Sequence, residues 1–214
     1  AQGETLQELI ARLGGAPTPA PAPARLTNAP SLAQGLVGRR AELEMLRAAV
    51  EHDPVLTVTG PAGIGKSRLL RELVHMLYVE LEGGAWLVDV GHETTAAEVV
   101  RLVLAALEVP GPSDVVRLGH ALAARGPLVL VLDDADRVDG LGALVDELST
   151  GAPEARILLS RRSPCGARKE STLRLGPLPL DDAIALLRTR SDRPHAELAL
   201  LAEKVDRVPL ALEV

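Results

Sequence analysis

Residues 60–67 read Gly-Pro-Ala-Gly-Ile-Gly-Lys-Ser, a spacing suited to gripping a chain of phosphates. Glycines let the backbone curl so that successive N–H groups point inward at an anion. A helix beginning near Gly65 adds the positive end of its dipole to the same spot. The segment fits G-x-x-x-x-G-K-[ST] without mismatch, so Lys66 is expected to reach the β- and γ-phosphates and Ser67 to offer its hydroxyl to Mg2+. Gly60, Pro61, Ala62, Gly63, Ile64, Gly65, Lys66, Ser67 and Arg68 together form the expected phosphate-binding set. A second segment agrees with the first. Leu128-Val-Leu-Val-Leu-Asp-Asp134 is an apolar run closed by two carboxylates, the Walker B pattern. Asp133 is placed to hold Mg2+, directly or through water, and Asp134 to orient or deprotonate an attacking water.

A third segment, Arg156-Ile-Leu-Leu-Ser-Arg-Arg162, ends in two arginines. In P-loop proteins with an extra strand between the two motif strands, the tip of that strand faces the γ-phosphate. An arginine there can sense the γ-phosphate through charge-assisted hydrogen bonds. Arg161 and Arg162 are both candidates, against the plainer reading of a solvated basic loop continued by Arg168 and Lys169.

Strands and helices must alternate to bring these segments together. Apolar β-type runs cover 55–59, 85–90, 127–132, 156–160 and 172–175. Most are continuous rather than alternating, as expected of strands buried on both faces. Helical patterns cover 40–51, 66–82, 95–108, 113–125 and 140–149, and Thr95-x-x-Glu98 has capping-box spacing. The expectation is an α/β fold with a parallel sheet and right-handed crossovers.

The flanks differ. Residues 1–15 carry a short helical pattern that ends at Gly14 and Gly15, read as an upstream tail or arm. A Pro/Ala-rich linker over 16–35 follows, with a semi-rigid core at 16–24. Residues 36–176 are expected to form the nucleotide-binding domain. From Pro177 the pattern turns helical, with Asp181 capping a helix from Asp182 to Arg190 and a second helix from about Pro194 to Asp206. Residues 177–214 thus read as the start of a truncated helical subdomain.

Composition narrows the function classes. Apolar residues make up 47% of the 214, enough for a sizeable core. There is no apolar run of about 18 residues and no signal-peptide pattern, so neither a membrane span nor secretion is expected. The single Cys165 leaves no internal disulfide and suits a reducing cytoplasm. A net charge of −6, with one Trp, one Tyr and no Phe, argues against a nucleic-acid surface. The five histidines show no metal-ligand spacing. Trp86 reads as core, and Asp89, at the end of its strand, as a minor candidate to contact Mg2+ or water.

Leu36-Val-Gly-Arg-Arg-Ala-Glu-Leu43 resembles the leading segment of NB-ARC-like STAND ATPases and related AAA-type ATPases. Arg207-Val-Pro-Leu-Ala-Leu212 is similar to their "GLPLAL" motif, with Arg207 in place of the glycine. Leu175-Gly-Pro-Leu-Pro-Leu-Asp-Asp-Ala-Ile-Ala-Leu-Leu187 resembles their "LxPLxxxdAxxLL". The strand before Arg162 has Ser-Arg where Thr-Thr or Thr-Ser is usual. The resemblance implies a three-layer P-loop NTPase with a five-stranded sheet of order 5-1-4-3-2. It implies an ATP/ADP-binding switch module of a larger signalling or transcription-regulatory protein, closest to bacterial STAND regulators. Slow Mg2+-dependent hydrolysis would reset the switch, and the ATP state would self-associate. An upstream effector and a downstream sensor domain are the implied partners. By the same resemblance Val37 and Arg39 would line the adenine pocket, Pro209 would touch base or sugar, and Ser160 would join Arg161 or Arg162 at the γ-phosphate. The alternative is an AAA-type motor or loader with continuous turnover, which needs an arginine from a neighbouring subunit; Arg168 and Arg174 are the evident candidates.

Overall fold

The computed structural model describes residues 27–29 and 35–213. The expected helix within residues 1–15 and the 16–24 core of the linker lie outside the described residues.

Each apolar run becomes a strand: β1 (Val55–Thr59), β2 (Ala85–Asp89), β3 (Leu128–Asp133), β4 (Ala155–Arg161) and β5 (Glu170–Arg174). They form a five-stranded sheet of order β2-β3-β4-β1-β5, parallel at every pairing. This is the 5-1-4-3-2 order expected from the resemblance. Between the strands run α1 (Arg40–His52), α2 (Lys66–Leu77), α3 (Ala96–Ala106), α4 (Val115–Ala123) and α5 (Leu141–Gly151). Successive strand residues face opposite layers. Leu128, Leu130 and Leu132 join Ile157 and Leu159 against α3, α4 and α5. Val129 and Val131 join Leu56, Val58 and Leu158 against α1 and α2. Both layers are apolar because helices cover both sheet faces.

Parallel pairing gathers all carboxyl ends at one edge. The register sets Asp89 beside Asp133 and Thr59 beside Arg161, so β4 lies between the two motif strands, β1 and β3, and all three deliver their polar ends to the same edge. The free edge of β2 is closed by a side chain: Asn28 accepts from the Leu87 N–H and donates to the Leu87 carbonyl, both at 2.8 Å. That pairing satisfies an edge peptide much as another strand would.

Three boundaries differ from the sequence reading. The helix expected over 66–82 ends at Leu77, five residues early. A Cβ at Gly83 would lie 2.8 Å from the Arg125 carbonyl, so the chain has to turn before it reaches the tight corner with the β3 approach. Asp181 does not cap its helix. Pro179 is the N-cap of α6 (Leu180–Arg188), and Asp181 and Asp182 sit in the first turn, where their charge suits the helix dipole. The last strand begins at Glu170 rather than at 172, because pairing with Val55 extends it. Elsewhere the boundaries shift by a residue or two; the Thr95–Glu98 capping box is formed on both sides.

After residue 177 the helices α6, α7 (His195–Lys204) and α8 (Pro209–Glu213) bury a small cluster of their own around Leu178, Ala183, Leu186, Ala202 and Leu212. Among the described residues, no helix is long and apolar enough to cross a membrane.

Candidate functional site

Gly63 and Gly65 lie at φ +76° and +98°, conformations that suit glycine and let the loop between β1 and α2 curl over the first turn of the helix. Gly65 is the N-cap of α2, so the helix opens with its unpaired N–H groups facing the loop. A cleft of about 630 Å3 opens above this turn at the carboxyl edge of the sheet. Lys66, Ser67, Asp133, Asp134, Ser160 and Arg162 all line it.

Asp133 is the centre of the polar network. It is 3% exposed, and a carboxylate so buried needs partners. Its Oδ1 accepts from the Ser67 hydroxyl at 2.8 Å, from the Ser160 hydroxyl at 2.5 Å and from the Asp134 N–H at 3.1 Å. The Asp134 N–H also donates to Ser160 Oγ at 2.8 Å. Asp134 itself takes a left-handed conformation, φ 56°, which turns its side chain out of the strand into the cleft. The Lys66 ammonium donates to the carbonyls of Gly60 at 2.9 Å and Pro61 at 3.1 Å. Burial pushes the Lys66 ammonium below the ordinary lysine value; the carboxylates of Asp136 and Asp134 oppose that shift and Arg162 adds to it.

The two arginines at the end of β4 part company. Arg162 lines the cleft, whereas Arg161 does not. Arg161 instead lies close enough to Cys165 for its charge to act on that thiol, which burial pushes up. A raised thiol is a poor nucleophile.

Arg39 is a buried tether rather than an open contact. It is 5% exposed. Its guanidinium donates to the Ile64 carbonyl at 3.2 Å and the Gly176 carbonyl at 2.5 Å, and pairs with Glu42 at 2.7 Å. It thereby ties the segment before α1 to the phosphate loop and to the start of the helical segment. Val37, Arg39 and Pro209 share a small recess with Gly65 and Leu178, beside the main cleft. Pro209 and Gly65 line both spaces. The C-terminal segment rests directly on the loop: the Leu210 N–H donates to the Gly63 carbonyl at 3.1 Å, and Arg68 lies 3.7 Å from Glu213.

Sequence reasoning missed three participants. Arg71 lines the cleft with its guanidinium 3.9 Å from Asp133 Oδ2; its place one helical turn after Ser67 was the available signal. Asp136 holds the Arg162 N–H at 2.6 Å, and its only sequence cue was proximity to Asp133. Leu210 touches the loop through tertiary contact alone.

The donor set fits a magnesium nucleotide. Ser67 and Asp133 offer two oxygens 2.8 Å apart, and Mg2+ takes few protein ligands, keeping waters and phosphate oxygens for the rest. No cluster of three or more His, Cys, Asp or Glu suited to a metal occurs among the described residues, so nothing here resembles an all-protein metal cage.

The AAA domain family matches residues 48–160. An uncharacterised protein of Mycobacterium tuberculosis (strain ATCC 25618 / H37Rv) is 34% identical over 194 residues, 83% of this chain and 49% of that protein. Another protein of that organism, named as a candidate HTH-type transcriptional regulator, is 28% identical over 183 residues, 78% of this chain and 20% of the other. This chain therefore spans half or less of the length of these curated relatives. Among solved structures, a Signal Transduction ATPase with Numerous Domains (STAND) protein with a tetratricopeptide repeat sensor, from Pyrococcus horikoshii, is similar with a TM-score of 0.62 at 18% identity, covering 86% of this chain and 30% of that one. At that identity the likeness speaks for the fold.

Proposed function

The chain belongs to the AAA domain family, a P-loop NTPase by fold, and from that premise we propose that it is the ATP/ADP-binding switch module of a larger regulatory protein. The observation that carries the reading is the contact between the helical C-terminal segment and the phosphate loop. The Leu210 N–H meets the Gly63 carbonyl at 3.1 Å, and Pro209 lines the nucleotide cleft. A segment that touches the phosphate loop can respond to what the loop holds. ADP would favour the closed arrangement of residues 36–176 with 177–214. ATP would bias the pair toward an open arrangement able to self-associate, and slow hydrolysis would restore the first. The relative named as a regulator and the structural likeness to a STAND protein support a signalling role over a metabolic one.

In this reading Lys66 neutralises the β- and γ-phosphates, and the loop from Gly60 to Arg68 supplies N–H groups to them. Ser67 and Asp133 hold Mg2+, which would screen the phosphate charge when bound. Asp134 orients the attacking water, and Arg162, rather than Arg161, faces the γ-phosphate. Val37, Arg39 and Pro209 border the base or sugar.

The first test is to denature freshly purified protein and identify released nucleotide by ion-exchange chromatography. Near-stoichiometric ADP supports the resting switch. A protein that releases none and binds neither ADP nor ATP on titration sinks the proposal.

A further inference from the structure

Asp136 and Arg162 both line the phosphate cleft. Asp136 lies in the 3-10 turn Ala135–Arg137 that follows β3, and Arg162 is the residue after β4. One oxygen of Asp136 accepts the Arg162 backbone N–H at 2.6 Å. The other lies 3.5 Å from the Arg162 Nε. A single carboxylate thus grips the backbone and the side chain of the same arginine. The two partners are unequal in freedom: the Asp136 side chain is 21% exposed and the Arg162 side chain 71%. The carboxylate is the better buried member and the guanidinium the more exposed one.

We propose that Asp136 is a positioning residue for Arg162: it anchors the arginine backbone at the cleft and competes with the third phosphate for the guanidinium, so setting the preference for ATP over ADP. The inference rests on the nucleotide-switch reading above. Its physics is a competition between two anions for one cation. A guanidinium makes charge-assisted bonds to either a carboxylate or a phosphate. Reaching a γ-phosphate beside Lys66 requires the side chain to leave Asp136 Oδ2, while Oδ1 can keep the backbone where it is. The contact therefore weakens ATP binding relative to ADP by whatever the pair is worth. For a pair this exposed that is a small factor.

The test uses the whole chain and two probes, MgADP and the β,γ-imido analogue of MgATP, titrated calorimetrically. The proteins are wild type, Asp136→Asn, Arg162→Ala and the double variant. Asn keeps an oxygen for the backbone N–H and removes the charge that holds the guanidinium. The preference for the ATP analogue over ADP is expected to rise about two- to five-fold in Asp136→Asn. In the Arg162→Ala background the same change is expected to raise the preference by clearly less, because the competing cation is gone and only the direct action of Asp136 on the cleft is left. A rise of equal size with and without Arg162 overturns the proposal, since Asp136 would then act by repelling phosphate directly. An unchanged or reduced preference in Asp136→Asn overturns it as well. If wild type binds neither probe, the switch reading falls and takes this inference with it. Wild-type binding with additive variants removes this inference alone.

Discussion

Lys66 sits between the two carbonyls it bonds and the acidic wall formed by Asp133, Asp134 and Asp136. A phosphate chain entering the cleft offers that ammonium stronger, charged acceptors than the carbonyls. Each such bond is worth about 1.5–3 kcal/mol, so Lys66→Ala is expected to weaken ADP binding by about 100-fold or more, measured by titration calorimetry. Unchanged binding would refute the assignment of the loop. Asp133 and Asp134 are adjacent yet differ in surroundings. Asp133 is buried and multiply bonded, whereas Asp134 is exposed on the cleft. Asp134→Asn is therefore expected to leave ADP affinity within about two-fold and to slow single-turnover ATP hydrolysis by about 100-fold, the usual range for a positioned base. Loss of Mg2+-dependent binding in that variant would mean that the two aspartates have exchanged roles.

At the scale of elements, two local features make separate predictions. The Glu170 carboxylate, at the start of β5, accepts from the Thr57 hydroxyl at 2.5 Å on β1 and from the N–H groups of Cys165 and Gly166, both at 2.8 Å. Burial pushes the carboxyl up, but these three bonds outweigh it and its net value lies below the usual 4.5. A carboxylate lowered in the folded state stabilises above its unfolded value, and that stabilisation is lost as pH falls through the folded value. Thermal melts of wild type and Glu170→Gln should therefore converge as pH drops from about 6 to about 3. A constant gap between the two would show that the bonds do not depend on the charge. The second feature is Arg207, which stands where the resembling motif has glycine and still adopts the left-handed conformation, φ 54°. That conformation costs an L-residue about 1 kcal/mol. Arg207→Gly is expected to raise the melting temperature by about 2–4 °C, offset somewhat by loss of the 3.8 Å pairing with Glu203. A lower melting temperature would mean that the Arg207 side chain contributes more than its backbone strain removes.

At the scale of the whole molecule, the sheet edge and the C-terminal helices meet at the phosphate loop. The approach is close enough that a Cβ on Gly63 would lie 2.8 Å from the Leu210 Cβ, and Gly63 is at φ +76°. Gly63→Ala is therefore expected to push residues 207–213 off the loop. Hydrogen exchange should show faster exchange of the Leu210 amide, with protection of β1, β3 and β4 kept, because those central strands are paired on both sides. Nucleotide retention should fall with the lost contact. Unchanged Leu210 protection would show that the segment is held by other contacts, such as the Leu178 N–H to Arg207 carbonyl bond at 3.1 Å. The same contact explains why residues so late in the chain bear on a site begun at residue 60.

What the sequence determined by itself was local or periodic. The Gly60–Ser67 loop, the apolar run ending at Asp133, the strand ending at Arg161 and the Thr95 cap each lie within a few consecutive residues, where residue type and spacing dictate conformation. Continuous apolar runs implied a parallel sheet covered on both faces, and the motif series implied its strand order. What only the tertiary structure decided depends on partners far apart in the chain. Ser160 meeting Asp133, the Arg162 N–H donating to Asp136, and Arg39 bonding Gly176 across 137 positions are contacts that only the packed chain brings about. Helix ends shifted where a corner such as Gly83 left no room, which no helical periodicity records. The seating of Leu210 on Gly63 is likewise a matter of packing: sequence supplies a small residue and an apolar one, and only the fold brings them together.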